Sequence, residues 1–291
     1  MSSSRACSTA IALVLLASAP GVSVAAGPHR RSSSNASHEL SNGCILMQDD
    51  RYTPTLLNNT DTLKPERMHY YEATLHINRL YSMQHGYRFL AQGANASQAN
   101  RHVSWMKLHF LRVMLECCCQ WALFVDSDSF LVMKDHKLSV DAWLAGDNDA
   151  RVTTLLGNMH MAQGTAGRPG MRRGAHPVAV LSDNPYQSSS YFCAGNLLFT
   201  RTLMSIDILN YWFNTTVRLD AASRWQHPWE QQTLNTHVMH RYHPAFWVVP
   251  SNQLNSFNGD HVRHLWSTYG EQTRTDMSVQ YLKKILNLKQ E

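Results

Sequence analysis

An α/β fold, with a mostly parallel central sheet and helices on both faces, is predicted for this chain by two observations. Short apolar runs alternate with amphipathic helical stretches in a βαβαβ series, and the last of those runs, Leu123-Phe124-Val125, ends abruptly in Asp126-Ser127-Asp128. Sheets of this kind hold ligands at the carboxyl ends of their strands, which is where the two carboxylates fall.

The elements follow in order. Residues 44–47 form a first strand, followed by a polar loop containing Pro and Asn that runs to about Lys64. Pro65-Glu66 open a helix that carries Tyr70, Leu75, Ile77 and Leu80 and ends at Gly86. Residues 87–90 give a second strand. Trp105, Leu108, Leu111, Val113 and Leu115 mark a second helix, and 121–125 give the central strand. Beyond it, 152–156 and 192–199 read as strands and 200–214, 228–240 and 277–288 as helices. The folded domain spans 42–291, after a flexible polar stem at 27–41.

An i, i+2 spacing in extended chain aims Asp126 and Asp128 to one side, where they can share a hard divalent cation. Such a cation can grip a diphosphate. A solvated turn is the plain alternative for the same three residues.

With 291 residues and 44% apolar composition the chain can bury a full core. Net charge is +5 with scattered Lys and Arg, which argues against nucleic acid as a partner. A Gly/Arg-rich stretch at 163–176, with Arg168, Arg172 and Arg173, fits either a phosphate-attracting loop or an ordinary solvated one.

Residues 1–26 read as a cleavable signal peptide or a signal anchor, with Arg5 ahead of an apolar run and small residues behind it. Either reading puts the remainder in the secretory lumen, with membrane contact only through that anchor. Sequons at Asn35, Asn58, Asn95 and Asn214 agree with this compartment. Cys44, Cys117, Cys118, Cys119 and Cys193 lie beyond the leader, an odd number that leaves one thiol unpaired or paired with another chain. The run Cys117 to Cys119 is expected to pack as small hydrophobes, and no spacing suits structural zinc.

Several pieces, in order and spacing, resemble the metal-dependent Golgi glycosyltransferases that include α-galactosyl-, α-mannosyl- and xyloglucan α-xylosyltransferases. They are Tyr81-Ser82-Met83-Gln84-His85-Gly86-Tyr87, Trp105-Met106-Lys107, Asp126-Ser127-Asp128, Ala194-Gly195-Asn196-Leu197-Leu198-Phe199, Trp229-Glu230-Gln231-Gln232-Thr233-Leu234 and Gly259-Asp260-His261-Val262-Arg263-His264. The resemblance implies a GT-A, Rossmann-like nucleotide-diphospho-sugar transferase. It implies transfer with retention from a UDP-Gal, UDP-Xyl or GDP-Man type of donor to a glycan or glycoprotein, with Mn²⁺, in the Golgi lumen or outside the cell if the leader is cleaved.

Carried over by position, Asp126, Asp128 and His264 match the metal site, with His261 as rival to His264. Asp126, Ser127, Gly195, Asn196 and Asp260 match donor-binding positions, and Glu230 and Gln231 match the pair beside the sugar. Two carboxylates with one imidazole suit Mn²⁺ better than Mg²⁺. Plainer readings stand beside these: a favourable acid in a helix first turn for Glu230, a bulge for Gly195-Asn196, a turn for Asn258-Gly259-Asp260. Trp225, Trp229, Trp247 and Trp266 offer acceptor platforms or core packing. Lys107 reads equally as structural or as a distant phosphate contact. The segment Leu265-Trp266-Ser267-Thr268-Tyr269-Gly270 departs from the family's small, glycine-containing one. Two other classes fit the aspartates less fully: a carbohydrate-binding or inactive transferase relative, and a metal-dependent phosphohydrolase.

Overall fold

The computed structural model describes residues 23–25, 43–58, 64–94, 100–132, 136–144, 178–183 and 191–288. The strand expected at 152–156 and the Gly/Arg-rich stretch lie outside them. Nine strands are described: β1 (Ser23–Ala25), β2 (Gly43–Asp49), β3 (Arg88–Gly93), β4 (Trp121–Val125), β5 (Ser129–Leu131), β6 (Ala179–Asp183), β7 (Phe192–Thr200), β8 (Phe246–Val249) and β9 (Val262–His264). The principal helices are α1 (Tyr70–His85), α2 (Met106–Cys117), α3 (Leu203–Asn210), α4 (Trp229–Thr233) and α5 (Glu271–Leu288).

Seven strands form one sheet in the order β1-β3-β2-β4-β7-β6-β8, while β5 and β9 form a separate pair. Strands β3, β2, β4, β6 and β8 run one way and β1 and β7 the other, so the sheet is mostly parallel. Along β2, Cys44 and Leu46 face a core shared with α2 and α3, whereas Ile45 and Met47 face Leu75, Tyr81 and Trp143. Both faces are therefore covered, which explains the unbroken apolar run. Residues 23–25, inside the leader as read from sequence, pair antiparallel with β3.

Helix α1 starts later than Pro65, which opens a separate 3₁₀ turn. Glu72 accepts from the His69 backbone N–H at 2.8 Å, an N-terminal cap, and Gly86 closes the helix at a φ of 71°. One face of α1 lies on the sheet. The other, with Ala73 and Ile77, meets Phe130, Leu265, Leu282 and Ile285, which ties α5 and the β5–β9 pair to the main body. Helix α5 begins six residues earlier than its apolar pattern suggests. The segments expected as single helices at 200–214 and 228–240 are each broken by a π-helical turn, at Tyr211–Thr215 and Leu234–Val238.

The cysteine expectation needs correction. Cys119 does not pack as a free thiol but bridges to Cys44 with Cα atoms 5.8 Å apart, and Cys117 is bonded to Cys118. Parallel pairing of β2 with β4 sets Cys44 opposite Ala122, which carries Cys119, two residues before β4, to within bridging distance. Cys193 is the free cysteine among the described residues, and it is buried.

Candidate active site

The turn after β4 is gripped from below by α1. The Asn78 side chain acts as a surrogate strand, donating to Ser129 O at 3.0 Å and accepting from Leu131 N–H at 2.8 Å, and Thr74 Oγ1 donates to Ser127 O at 2.6 Å. These bonds leave Asp126 and Asp128 little freedom to turn away.

Antiparallel register in the short pair sets His264 opposite Ser129, one residue beyond Asp128. Its Nε2 stands 3.1 Å from Asp128 Oδ1, and Nδ1 donates to Asn255 Oδ1 at 2.7 Å. Asn255 is itself oriented, since its Nδ2 donates to Asp183 O at 3.1 Å. One potential ligand atom from each of Asp126, Asp128 and His264 falls within 4.8 Å of the others. The rival His261 packs edge-on against Trp143 at 5.4 Å and stands outside this cluster.

Charge is balanced across the site by neighbours that no local pattern reveals. Lys107 reaches out of α2 to Asp126 Oδ1 at 3.1 Å, Glu230 Oε1 at 3.0 Å and Ala194 O at 3.0 Å. Burial works against its charge, but Asp126 and Glu230 outweigh that and hold the ammonium above the ordinary lysine range. Burial pushes the Asp126 carboxyl up to about 6; Lys107 opposes the shift and the Asp128 charge adds to it. Burial also acts to raise Asp128, yet the His264 charge and hydrogen bond, with Arg274, prevail and lower it. For His264, Asp128 overcomes burial and pushes the imidazole up to about 10.

A cleft of about 560 Å³ opens above these groups, lined by Lys107, Asp126, Gly195, Glu230, Gln231 and His264 with Cys193, Trp229 and Trp266. Glu230 is 4% exposed and its Oε2 has no hydrogen-bond partner. The backbone of α4 is anchored by Trp212, whose Nε1 donates to Glu230 O at 3.0 Å. Trp229 takes a left-handed φ of 48° and stacks face to face on His102, with ring centroids 3.8 Å apart. A bulky residue holds such a backbone only where its surroundings over-determine it.

Not every residue singled out in the sequence meets at the cleft. Gln231 lines it, with Oε1 already accepting from Ala194 N–H at 2.9 Å. Ser127 turns the other way, its Oγ accepting from Arg51 Nη2 at 3.0 Å. Asn196 is buried behind Gly195 and donates to Leu254 O at 2.8 Å. Asp260 closes a turn with Asn252 and is not part of the lining. Of the four tryptophans, Trp229 and Trp266 line the cleft, Trp247 stacks on Trp143, and Trp225 is exposed elsewhere. The departing segment after His264 lines the cleft through Trp266, Ser267 and Thr268. Sequence reading missed Asn255 and Arg274 altogether, and it left Lys107 undecided.

The model of the galactosyl transferase GMA12/MNN10 family matches residues 48–281. Among solved structures, a glycosyltransferase involved in glycosylation of the major capsid of the virus PBCV-1 is similar in fold. The TM-score is 0.52 at 14% identity, over 82% of this chain and 99% of that one. No curated protein sequence matches the chain.

Proposed function

This chain belongs to the galactosyl transferase GMA12/MNN10 family of glycosyltransferases, and from that premise we propose a Mn²⁺-assisted transfer of a sugar, with retention, from a nucleotide sugar to a hydroxyl of a glycan or glycoprotein. The observation that carries this reading is the convergence of Asp126, Asp128 and His264 at the carboxyl end of β4, beside a cleft large enough for a donor.

The donor set fits the cation. Two carboxylates and one imidazole suit Mn²⁺, and the bare Gly195 keeps the space between ligands open: a Cβ there would stand 2.7 Å from His264 Cε1 and 2.9 Å from Asp126 Oδ2. Asp126, Asp128 and His264 would hold the ion, which when bound neutralises charge on the departing diphosphate. His264 would release its Nε2 proton to solvent in order to hold the ion, while Asn255 keeps Nδ1 in place.

Around the sugar, Glu230 Oε2 is a buried acceptor in need of an O–H donor or of developing positive charge at the anomeric carbon. Gln231 has its carbonyl oxygen engaged, so the amide nitrogen is the end it can offer. Trp229 and Trp266 supply apolar walls on which pyranose C–H faces can stack. In the retaining reaction proposed here, acceptor and leaving group share one face of the sugar, and the departing diphosphate takes the acceptor proton. The donor class is UDP-Gal, UDP-Xyl or GDP-Man, and the compartment is the secretory lumen, the Golgi foremost. The Cys44–Cys119 bridge supports an oxidising compartment. No helix among the described residues is long and apolar enough to cross a membrane.

The test is release of nucleoside diphosphate from a panel of UDP-Gal, UDP-Xyl and GDP-Man, with and without Mn²⁺ and glycan acceptors. One donor should turn over only with the cation, and Asp128→Ala should lower that rate at least about 100-fold with an unchanged circular dichroism spectrum. Glycan binding with no turnover of any donor would make the protein a carbohydrate binder instead. Unchanged turnover in Asp128→Ala would remove the cation site from the mechanism.

A further inference from the structure

We propose that Lys107 is a positioning residue for transfer, a single ammonium that decides which oxygen Asp126 offers to the cation and which oxygen Glu230 offers to the sugar. This inference rests on the reading of the cleft given above and adds to it a residue whose role the sequence left open.

The geometry is unusual for a lysine. Its side chain is 5% exposed, and its three N–H groups have three acceptors, Asp126 Oδ1, Glu230 Oε1 and Ala194 O, all within 3.1 Å. Nothing remains for water or phosphate, so the ammonium acts on other residues rather than on substrate. At Asp126 it occupies Oδ1, leaving Oδ2 as the atom beside His264. The carboxylate is thereby presented through one oxygen. At Glu230, a residue that lines the cleft, it occupies Oε1 and leaves the buried Oε2 without a hydrogen-bond partner.

The same contacts keep two carboxylates apart that would otherwise repel across a poorly hydrated site. Because α2 also supplies the packing of Leu108 and Leu111 beneath β4, the nitrogen is carried on a rigid element rather than a loop. The third bond, to Ala194 O, pins the ammonium to β7 next to Gly195, so one atom joins the helix, the metal-side strand and α4.

Two effects of opposite sign follow from removing this charge. A cation bound by Asp126 and Asp128 loses a positive neighbour, so Lys107→Met should bind Mn²⁺ as tightly as the wild type or up to about tenfold tighter. Turnover should fall about 100-fold with the donor KM changed less than about threefold, since orientation rather than binding is lost. Binding is read by Mn²⁺ titration followed by electron paramagnetic resonance, independently of activity. In Lys107→Ala, propylammonium should restore part of the rate, and propanol, which has the shape without the charge, should not. Turnover of Lys107→Met within about fivefold of wild type, or rescue by propanol equal to that by the amine, overturns the proposal. Lys107→Arg is the folded control, keeping the charge in a larger group. It should hold Mn²⁺ within about threefold and lose about tenfold in kcat; full turnover there also overturns the proposal. A wild-type protein that turns over no donor would defeat the transferase reading itself, whereas an active wild type with an indifferent Lys107 defeats this inference alone.

Discussion

His264 donates from Nδ1 to Asn255 Oδ1 at 2.7 Å, and that one hydrogen bond turns Nε2 toward Asp128 Oδ1, 3.1 Å away. The ring cannot rotate without leaving a buried amide oxygen unsatisfied, so the nitrogen that faces Asp128 is set by the fold itself. Asn255 comes from the loop after a short helix, Ser251–Leu254, and its own amide is fixed by Asp183 at the end of β6.

Replacing Asn255 by Leu should therefore weaken Mn²⁺ binding by about 10- to 100-fold while leaving Asp126 and Asp128 in place. Metal titration of the purified variant checks this, and wild-type affinity would show that the ring needs no such partner.

Gly195→Ala should impair cation binding for a steric reason. The new methyl would press on His264 Cε1 at 2.7 Å and Asp126 Oδ2 at 2.9 Å, closer than real Cβ contacts allow. Either the imidazole or the carboxylate must move, and turnover should drop at least about tenfold at saturating donor, measured with Mn²⁺ in excess.

Acid stability should depend on His76 in α1. Burial, aided by the Arg79 charge, lowers this imidazole to about 4 from an ordinary value of 6.5. The unfolded chain binds a proton there before the folded one does, so the contribution is full above about pH 6.5 and is lost as the pH falls toward 4. The shift corresponds to roughly 3 kcal/mol. Urea melts at pH 7 and pH 4.5 should differ by roughly 2 to 3 kcal/mol less in His76→Leu than in wild type. An equal pH dependence in both proteins would show that His76 is not buried neutral.

The Cys44–Cys119 bridge closes a loop with a sequence separation of 75. In the chain-entropy account such a crosslink contributes about 4 kcal/mol, so Cys44→Ala paired with Cys119→Ala should melt well below wild type. A thermal melt of both proteins under non-reducing conditions is the measurement, and coincident midpoints would remove the bridge from the stability of the fold.

How much of this was legible before folding depended on the range of the interactions. The β2 and β4 runs, α1 and α2 announce themselves because period and burial are local properties. The positions of β5 and β8 do not, because strands of three and four residues carry too little pattern to be told from loop. The resemblance placed His264 in the site but left His261 as a competitor.

An alternating α/β chain whose central strand ends in Asp126-Ser127-Asp128 can be read from the residues alone, because apolar periodicity and an i, i+2 carboxylate pair are written within a few positions. Packing of distant segments was needed to turn His264 rather than His261 toward those acids, to set Asn255 behind it, and to stretch Lys107 between Asp126 and Glu230. Each of these follows from the register of a non-local strand pair or from side chains on separate elements meeting in a buried, poorly solvated space. Local composition has no term for such meetings, whose energies exist only once distant segments are packed together.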